Sequence, residues 1–142
     1  MALLTIADLS VKLASPDGPL TVLRQVGILA AAGIVALERM VERLADDHAN
    51  ARRLGEGLAK LPGLRVDLAS VQTNIVIVRV ERGGTAAASA AATAELVAGC
   101  GARKVKIHAI GPTAIRCVTH KDIDAEDIGR TLDAFAEITR KW

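Results

Sequence analysis

The segment at residues 73–80 constrains the fold more than any other part of the sequence. It is rich in β-branched residues, which favour a strand. Ile75 and Ile77 would point to one face of that strand and the three valines to the other, so both faces are apolar. Such a strand belongs to a sheet that is covered on both sides. We expect this chain's own helices to cover one side, and another chain or a further domain to cover the other.

Periodicity and turn signals on either side of this strand predict the remaining elements. We predict helices at residues 24–38, 40–60 and 86–98 and from Asp124 onward, and strands at 64–68, 73–80, 104–110 and 113–119. Thr85 is expected to cap the third helix. A chain of 142 residues is long enough for one compact domain. The element order predicts an α+β fold, with a mostly antiparallel sheet and helices packed on one face.

The second predicted helix carries an apolar stripe opposite a charged face. Residues at alternating steps of four and three form the stripe, which we expect to be covered: Leu37, Val41, Leu44, His48, Ala51, Gly55 and Leu58. The opposite face is predicted to be solvated. Its spacing favours three weak ion pairs, namely Arg43–Asp47, Arg52–Glu56 and Glu56–Lys60.

Composition argues against several classes of partner. Aromatic residues make up 1% of the chain, and the net charge of +2 comes from scattered residues, so nucleic acid is not expected. The longest uncharged apolar run, residues 26–37, is shorter than the ~20 residues of a membrane-spanning helix. The first residues lack the basic leader of a secretory signal. Cys100 and Cys117 fit neither a disulfide framework nor a zinc site, so we expect packed thiols and a cytoplasmic protein.

Arg116 is the most informative single residue, because it interrupts an otherwise apolar strand. A guanidinium in that position needs an anion. Its planar fork can take a carboxylate through two parallel hydrogen bonds, which suits the α-carboxylate of an amino acid. Two other interpretations stay open, a pair with an acidic residue of this chain or a side chain that reaches the sheet edge.

The three histidines predict no catalytic group by themselves. His48 lies on the helical stripe, where a core or interface role is favoured. His108 alternates within a strand and has no recognisable triad partner. His120 stands at a strand end, where it could make structural hydrogen bonds or support Arg116.

Five segments, in the same order, resemble the C-terminal small domain of low-specificity threonine aldolases and β-eliminating lyases, which are fold-type I pyridoxal-phosphate enzymes. The segments are RQVGILAAAG at 24–33, DHAN at 47–50, QTN at 72–74, RCVTH at 116–120 and DI at 122–123. The similarity spans residues 23–142. It implies a small domain over that range. Residues 1–22 have a short apolar start and a turn sequence at 15–18, which predict an atypical N-terminal arm.

The resemblance assigns roles to two arginines. In the family, the arginine of the RxVTH segment binds the substrate carboxylate, which implies that role for Arg116. An arginine after a glycine-rich segment reaches the cofactor phosphate, and Arg24 stands at that place. Here residues 20–23 replace the glycines, which removes the backbone that could approach a phosphate closely. Arg24 could instead cap or solvate the first turn of its helix.

The resemblance also implies an activity for the parent family, the cleavage of β-hydroxy-α-amino acids to glycine and an aldehyde with pyridoxal phosphate. The family places its Schiff-base lysine in a large domain, and no lysine of this chain stands in a similar context. We therefore expect a small domain that is inactive and does not bind the cofactor alone. It would form a homo-oligomer or be completed by a separate large-domain chain. The alternative is a non-catalytic binding or oligomerisation module.

Overall fold

The computed structural model describes residues 11–13, 20–23 and 26–142, which belong to two compact units that divide between Glu42 and Arg43. In the first unit, β1 (Val11–Leu13) pairs antiparallel with β2 (Leu20–Leu23), and α1 (Val26–Arg39) follows. The predicted first helix is thus confirmed. Arg24 lies outside the described residues, and an arm at residues 1–22 remains a prediction.

The second unit contains a four-stranded antiparallel sheet and three helices. Its elements are α2 (Leu44–Leu58), β3 (Leu64–Arg65), a 3₁₀ turn (Leu68–Ser70), β4 (Ile75–Val80), α3 (Ala86–Ala102), β5 (His108–Gly111), β6 (Ala114–Val118) and α4 (Ala125–Thr139). The strand order is β3-β4-β6-β5, so the two longest strands lie in the middle. This arrangement confirms the predicted α+β fold.

The helices cover one face of the sheet. The three valines of β4 are almost fully buried and pack with Leu58 of α2, Leu96 of α3 and Phe135 of α4. On the opposite face Ile75 remains 40% exposed. The chain's own helices therefore cover one side of β4, as predicted, and the outer face is open to solvent in this unit.

The apolar stripe predicted for the second helix is wrong in its first half. The chain turns at residues 40–43, between α1 and α2, and His48 is exposed rather than in the core. The buried positions of α2 are Asp47, Ala51, Leu54, Gly55 and Leu58. Because α2 starts at Leu44, the face that meets the sheet begins with Asp47, one residue before His48.

Side-chain caps set the starts of α3 and α4. Thr85 accepts a hydrogen bond from the Ala88 amide at 3.1 Å, which confirms the predicted cap. Asp124 and Asp127 form a reciprocal capping box at the start of α4. None of the helices in the described ranges is both long and apolar enough to cross a bilayer.

Candidate functional site

Arg116 lies at the centre of β6 and points away from the helices. Its neighbours along the strand, Ile115 and Cys117, are buried in the core, whereas Arg116 is exposed. Its cross-strand partners are Ile77 on β4 and His108 on β5. The outer face of the sheet therefore presents a guanidinium flanked by an isoleucine and an imidazole.

No side chain among the described residues neutralises Arg116. It makes no hydrogen bond or ion pair within residues 26–142, whereas Arg65 on the same sheet pairs with Glu81 at 2.6 Å. The interpretation as an ion pair with an acidic residue of this chain thus finds no support in the described part. Exposed apolar side chains share this region with the guanidinium, namely Ile75, Ile110 and Val118. The outer face can therefore receive an anion that carries apolar groups.

The chain directly after β6 is held by a buried hydrogen-bond network. The two shortest hydrogen bonds between Thr119 and Asn74 run from the Thr119 amide to the Asn74 carbonyl at 2.9 Å and from the Asn74 side-chain amide to the Thr119 carbonyl at 2.8 Å. The Thr119 hydroxyl donates to the main-chain oxygen of Asp47 at 2.7 Å. These bonds fix the strand end three residues from Arg116.

Asp47 is part of this network and not of a solvated face, which corrects the prediction for the charged side of α2. The residue is 3% exposed, and its carboxylate accepts two hydrogen bonds from Arg43, at 2.7 and 3.0 Å. These bonds raise the pKa of Arg43. The Arg52–Glu56 pair does form on the exposed side, as predicted. The Asn50 side chain donates to the Ile123 carbonyl at 3.0 Å and ties α2 to the chain before α4.

His120 makes a local structural contact, in line with one of the two roles considered for it. Its Nδ1 accepts a hydrogen bond from the Asp122 amide at 3.3 Å. Lys121 donates to the Asp122 carboxylate at 2.5 Å, and this hydrogen bond lowers the pKa of Asp122. These contacts order the turn that follows Thr119.

Both cysteines are packed thiols, as predicted. Cys100 and Cys117 are buried and unbridged. Burial raises the pKa of Cys100 to about 11 and that of Cys117 to about 12. Because the thiolate is the nucleophilic form, neither residue is suited to covalent chemistry at neutral pH.

Comparison with known proteins gives the chain its relatives. Residues 21–81 match the family model described as beta-eliminating lyase. Low-specificity L-threonine aldolase 1 of Arabidopsis thaliana is 32% identical over 115 residues, which cover 81% of this chain and 31% of the relative. The low specificity L-threonine aldolase of Escherichia coli K12 is 38% identical over 120 residues, or 84% of this chain and 30% of the relative.

The chain belongs to the beta-eliminating lyase family. It spans about a third of the length of the threonine aldolases that it matches. The resemblance read from the sequence is thereby confirmed at the level of the family.

The structure separates the residues that carry the family resemblance into two groups. Asp47, Asn74 and Thr119 are engaged in hydrogen bonds that join α2, the start of β4 and the end of β6, and Asn50 joins α2 to the chain before α4. Sequence reasoning did not find these roles, although the short polar motifs at 47–50 and 72–74 were the available signal. Arg116 belongs to a different group, because none of the described residues forms a hydrogen bond or an ion pair with its guanidinium.

The described residues do not form a site for the pyridoxal phosphate that the resemblance implies. A Schiff-base lysine is activated by desolvation or by a neighbouring cation. The five lysines whose surroundings the structure describes are all exposed, namely Lys60, Lys104, Lys106, Lys121 and Lys141. Within the same part of the chain, no cluster of acidic, histidine or cysteine side chains could hold a metal ion.

Proposed function

We propose that residues 23–142 form the small domain of a threonine-aldolase-like lyase and that Arg116 binds the substrate carboxylate. The observation that carries this proposal is an exposed guanidinium, at the centre of a sheet face, for which the described residues supply no anion. The relatives are named threonine aldolases. The parent reaction would therefore be the cleavage of a β-hydroxy-α-amino acid to glycine and an aldehyde.

A central strand is a suitable support for carboxylate binding. β6 is paired on both sides, so the backbone of Arg116 is held by β4 and β5. A planar guanidinium can give a carboxylate two parallel hydrogen bonds, which fixes orientation as well as position. The hydrogen-bond network at Thr119 restrains the same strand. The side chain is thus free to move, whereas its attachment point is not.

Cleavage itself would need groups that the described residues do not provide. We propose that a lysine-bearing large domain, from the same protein or from a separate chain, supplies the Schiff-base lysine and most of the cofactor site. Arg24 would then contribute to the phosphate site, with less close backbone contact than a glycine-rich segment gives. The substrate would lie between that domain and the outer face of the sheet.

A chimera tests the role of Arg116. The matching segment of the Escherichia coli relative is replaced by this chain's segment, and threonine cleavage is measured. We expect activity in the chimera, and a fall in kcat/KM of about 10²-fold or more when Arg116→Ala removes a two-bond contact to a charged group. Arg79→Ala is the matched control, because Arg79 is an exposed arginine on the same face. Equal losses in the two variants, or none in Arg116→Ala, would contradict the assignment.

A separate assay tests the isolated chain. With threonine and pyridoxal phosphate, the 142-residue protein is expected to release no glycine above a no-protein control. Turnover would show that the chain carries its own catalytic lysine. That outcome would overturn the small-domain proposal even if Arg116 binds the carboxylate.

The alternative function is a non-catalytic binding or oligomerisation module. Exposed apolar side chains favour it, both on the outer sheet face and on α1, where Ile28 is 73% and Leu37 is 75% exposed. Exposed apolar surface of this kind marks interfaces. Sedimentation velocity and the chimera assay together distinguish the two functions. A chain that forms a stable homo-oligomer, but whose segment gives an inactive chimera, favours the module. A monomer that binds no hydrophobic dye counts against it.

A further inference from the structure

A cavity of about 600 Å³ lies at the carboxyl end of β6, where Cys117 and Val118 border it and Arg116 does not. It is bounded by the connection between α3 and β5, by the chain after β6 and by the first half of α4. Buried aliphatic side chains form its inner wall: Leu54, Ile107 and Ile128. The volume lies within the ~300–1,000 Å³ of small-molecule pockets. An apolar wall of this kind favours an aliphatic ligand body.

The charged residues around this cavity are predominantly basic. Arg103 pairs with Glu137 at 2.9 Å, and Arg130 pairs with both Glu126 and Asp127. Asp127, the acidic residue of the lining, is engaged by Arg130 and by the Asp124 amide. The two lysines of the lining, Lys104 and Lys106, have no carboxylate partner in the described part of the chain. The cavity therefore combines an apolar wall with two available cations, and His120 borders the same space.

Lys104 holds an unusual backbone conformation at this cavity. Its φ of 63° places it in the left-handed region, just after α3 ends. Helices commonly end in this way, but with glycine, since a side chain makes the conformation costly. Strain of this kind concentrates at ligand sites. A lysine in place of glycine brings a cation to the cavity.

We propose that this cavity binds a small aliphatic carboxylate. The carboxylate would lie between Lys104 and Lys106, and the hydrocarbon chain would lie against Leu54, Ile107 and Ile128. The inference does not depend on the proposed aldolase function. Arg116 extends from the outer face of the sheet, whereas Ile107 and Ile128 belong to the buried side.

Hexanoate is a direct probe, with hexan-1-ol as the uncharged analogue of the same chain length. Amide chemical shifts of the full 142-residue protein are followed during titration. We expect saturable shifts for hexanoate at residues 104–107 and near Ile128, and weaker binding of the alcohol. The double variant Lys104→Gln/Lys106→Gln should bind hexanoate about tenfold less tightly, because two exposed ion pairs together contribute about a factor of ten.

Lys60→Gln/Lys141→Gln is the matched control, because these two exposed lysines do not line the cavity. It removes the same total charge and should leave the affinity unchanged. Equal losses in the two double variants would overturn the proposal, since they would show a non-specific charge effect. Equal binding of hexanoate and hexan-1-ol, or no saturable shift with either, would also overturn it. Hexanoate shifts confined to the strands around Arg116 and abolished by Arg116→Ala would assign the anion to the outer face instead.

Discussion

The hydroxyl of Thr119 donates a 2.7 Å hydrogen bond to the main-chain oxygen of Asp47, which joins the end of β6 to the first turn of α2. Thr119 is 2% exposed, so this bond lies in the interior. The side chain of Asp47 is in turn held by Arg43. The family-like motifs at 47–50 and 116–120 are thus in direct contact, and one of them carries Arg116. Their structural role is to hold the strand that presents the arginine.

Thr119→Val tests this connection. The substitution keeps the shape of the side chain and removes the donor, so we expect the free energy of unfolding to fall by about 1–2 kcal/mol. Thr139→Val is the matched control. Thr139 is also buried, but its hydroxyl bonds the Phe135 carbonyl of its own helix, where the loss should stay below about 0.5–1 kcal/mol. Urea unfolding measures the loss of stability in both variants. Equal losses would show that the hydrogen bond to Asp47 stabilises the fold no more than a bond within one helix does.

Lys104→Gly should raise the free energy of unfolding by about 1 kcal/mol. The left-handed backbone at φ 63° is costly for lysine, whereas glycine adopts it readily. The same variant should weaken hexanoate binding, because it removes one of the two cations at the cavity. A variant that is more stable but binds hexanoate less tightly would indicate that the strained backbone at Lys104 is kept because the lysine binds the ligand. Lower stability in urea unfolding would show that the lysine side chain makes contacts that outweigh the backbone strain.

The buried thiols predict a loss of stability in alkali. Burial raises the pKa of Cys100 to about 11 and that of Cys117 to about 12 in the folded protein, from an ordinary thiol value of 9.0. Between about pH 9 and 12 the unfolded state binds fewer protons than the folded state at these groups, so the free energy of unfolding falls as pH rises. Below pH 9 both thiols are protonated in the folded and in the unfolded state, so their full contribution to stability is present. The chain has no tyrosine whose titration would overlap this range.

A variant that combines Cys100→Ala with Cys117→Val isolates this effect. Its stability should fall less steeply between pH 9 and 11 than that of the parent in chemical denaturation, since lysine titration is common to both. Identical slopes would contradict the raised pKa values. In the parent protein, thiol labelling at pH 8 should occur only through transient unfolding, because both cysteines are buried.

Local patterns were sufficient to predict much of the fold. The alternation in β4 and the cap at Thr85 each depend on a few neighbouring residues, and both are confirmed. A break between the first two helices was predicted at residue 39, but the turn extends over residues 40–43. Its extent was missed because it contains no glycine or proline and the apolar spacing continues through it. Asp47 is buried through bonds to Arg43 and to Thr119, the latter 72 residues away, and such a distant partner cannot be read from a helical pattern.

One of the two candidate sites could be predicted from local sequence and the other could not. The interrupted strand identified Arg116, and strand alternation is enough to place it opposite the core. The cavity beside Lys104 was not predicted, because its walls come from α2, the α3–β5 connection and α4, which only the tertiary fold brings together. The backbone of Lys104 gave no sequence signal, since the expected residue after a helix is glycine.

Two helical glycines give a final test of the packing, Gly57 at the contact between α2 and α4 and the exposed Gly129 on α4. A Cβ added at Gly57 would lie 2.5 Å from Leu132 Cδ2, whereas one added at Gly129 would meet nothing within 4 Å. Both positions gain helix propensity, about 0.5–1 kcal/mol, when alanine replaces glycine. Gly129→Ala should therefore stabilise the protein by about that amount. At Gly57 the added methyl group forces the Leu132 side chain to move, which should offset the gain, so Gly57→Ala should be less stable than Gly129→Ala by about 1 kcal/mol. Thermal unfolding compares the two, and equal stabilisation would show that α2 and α4 are not packed this closely.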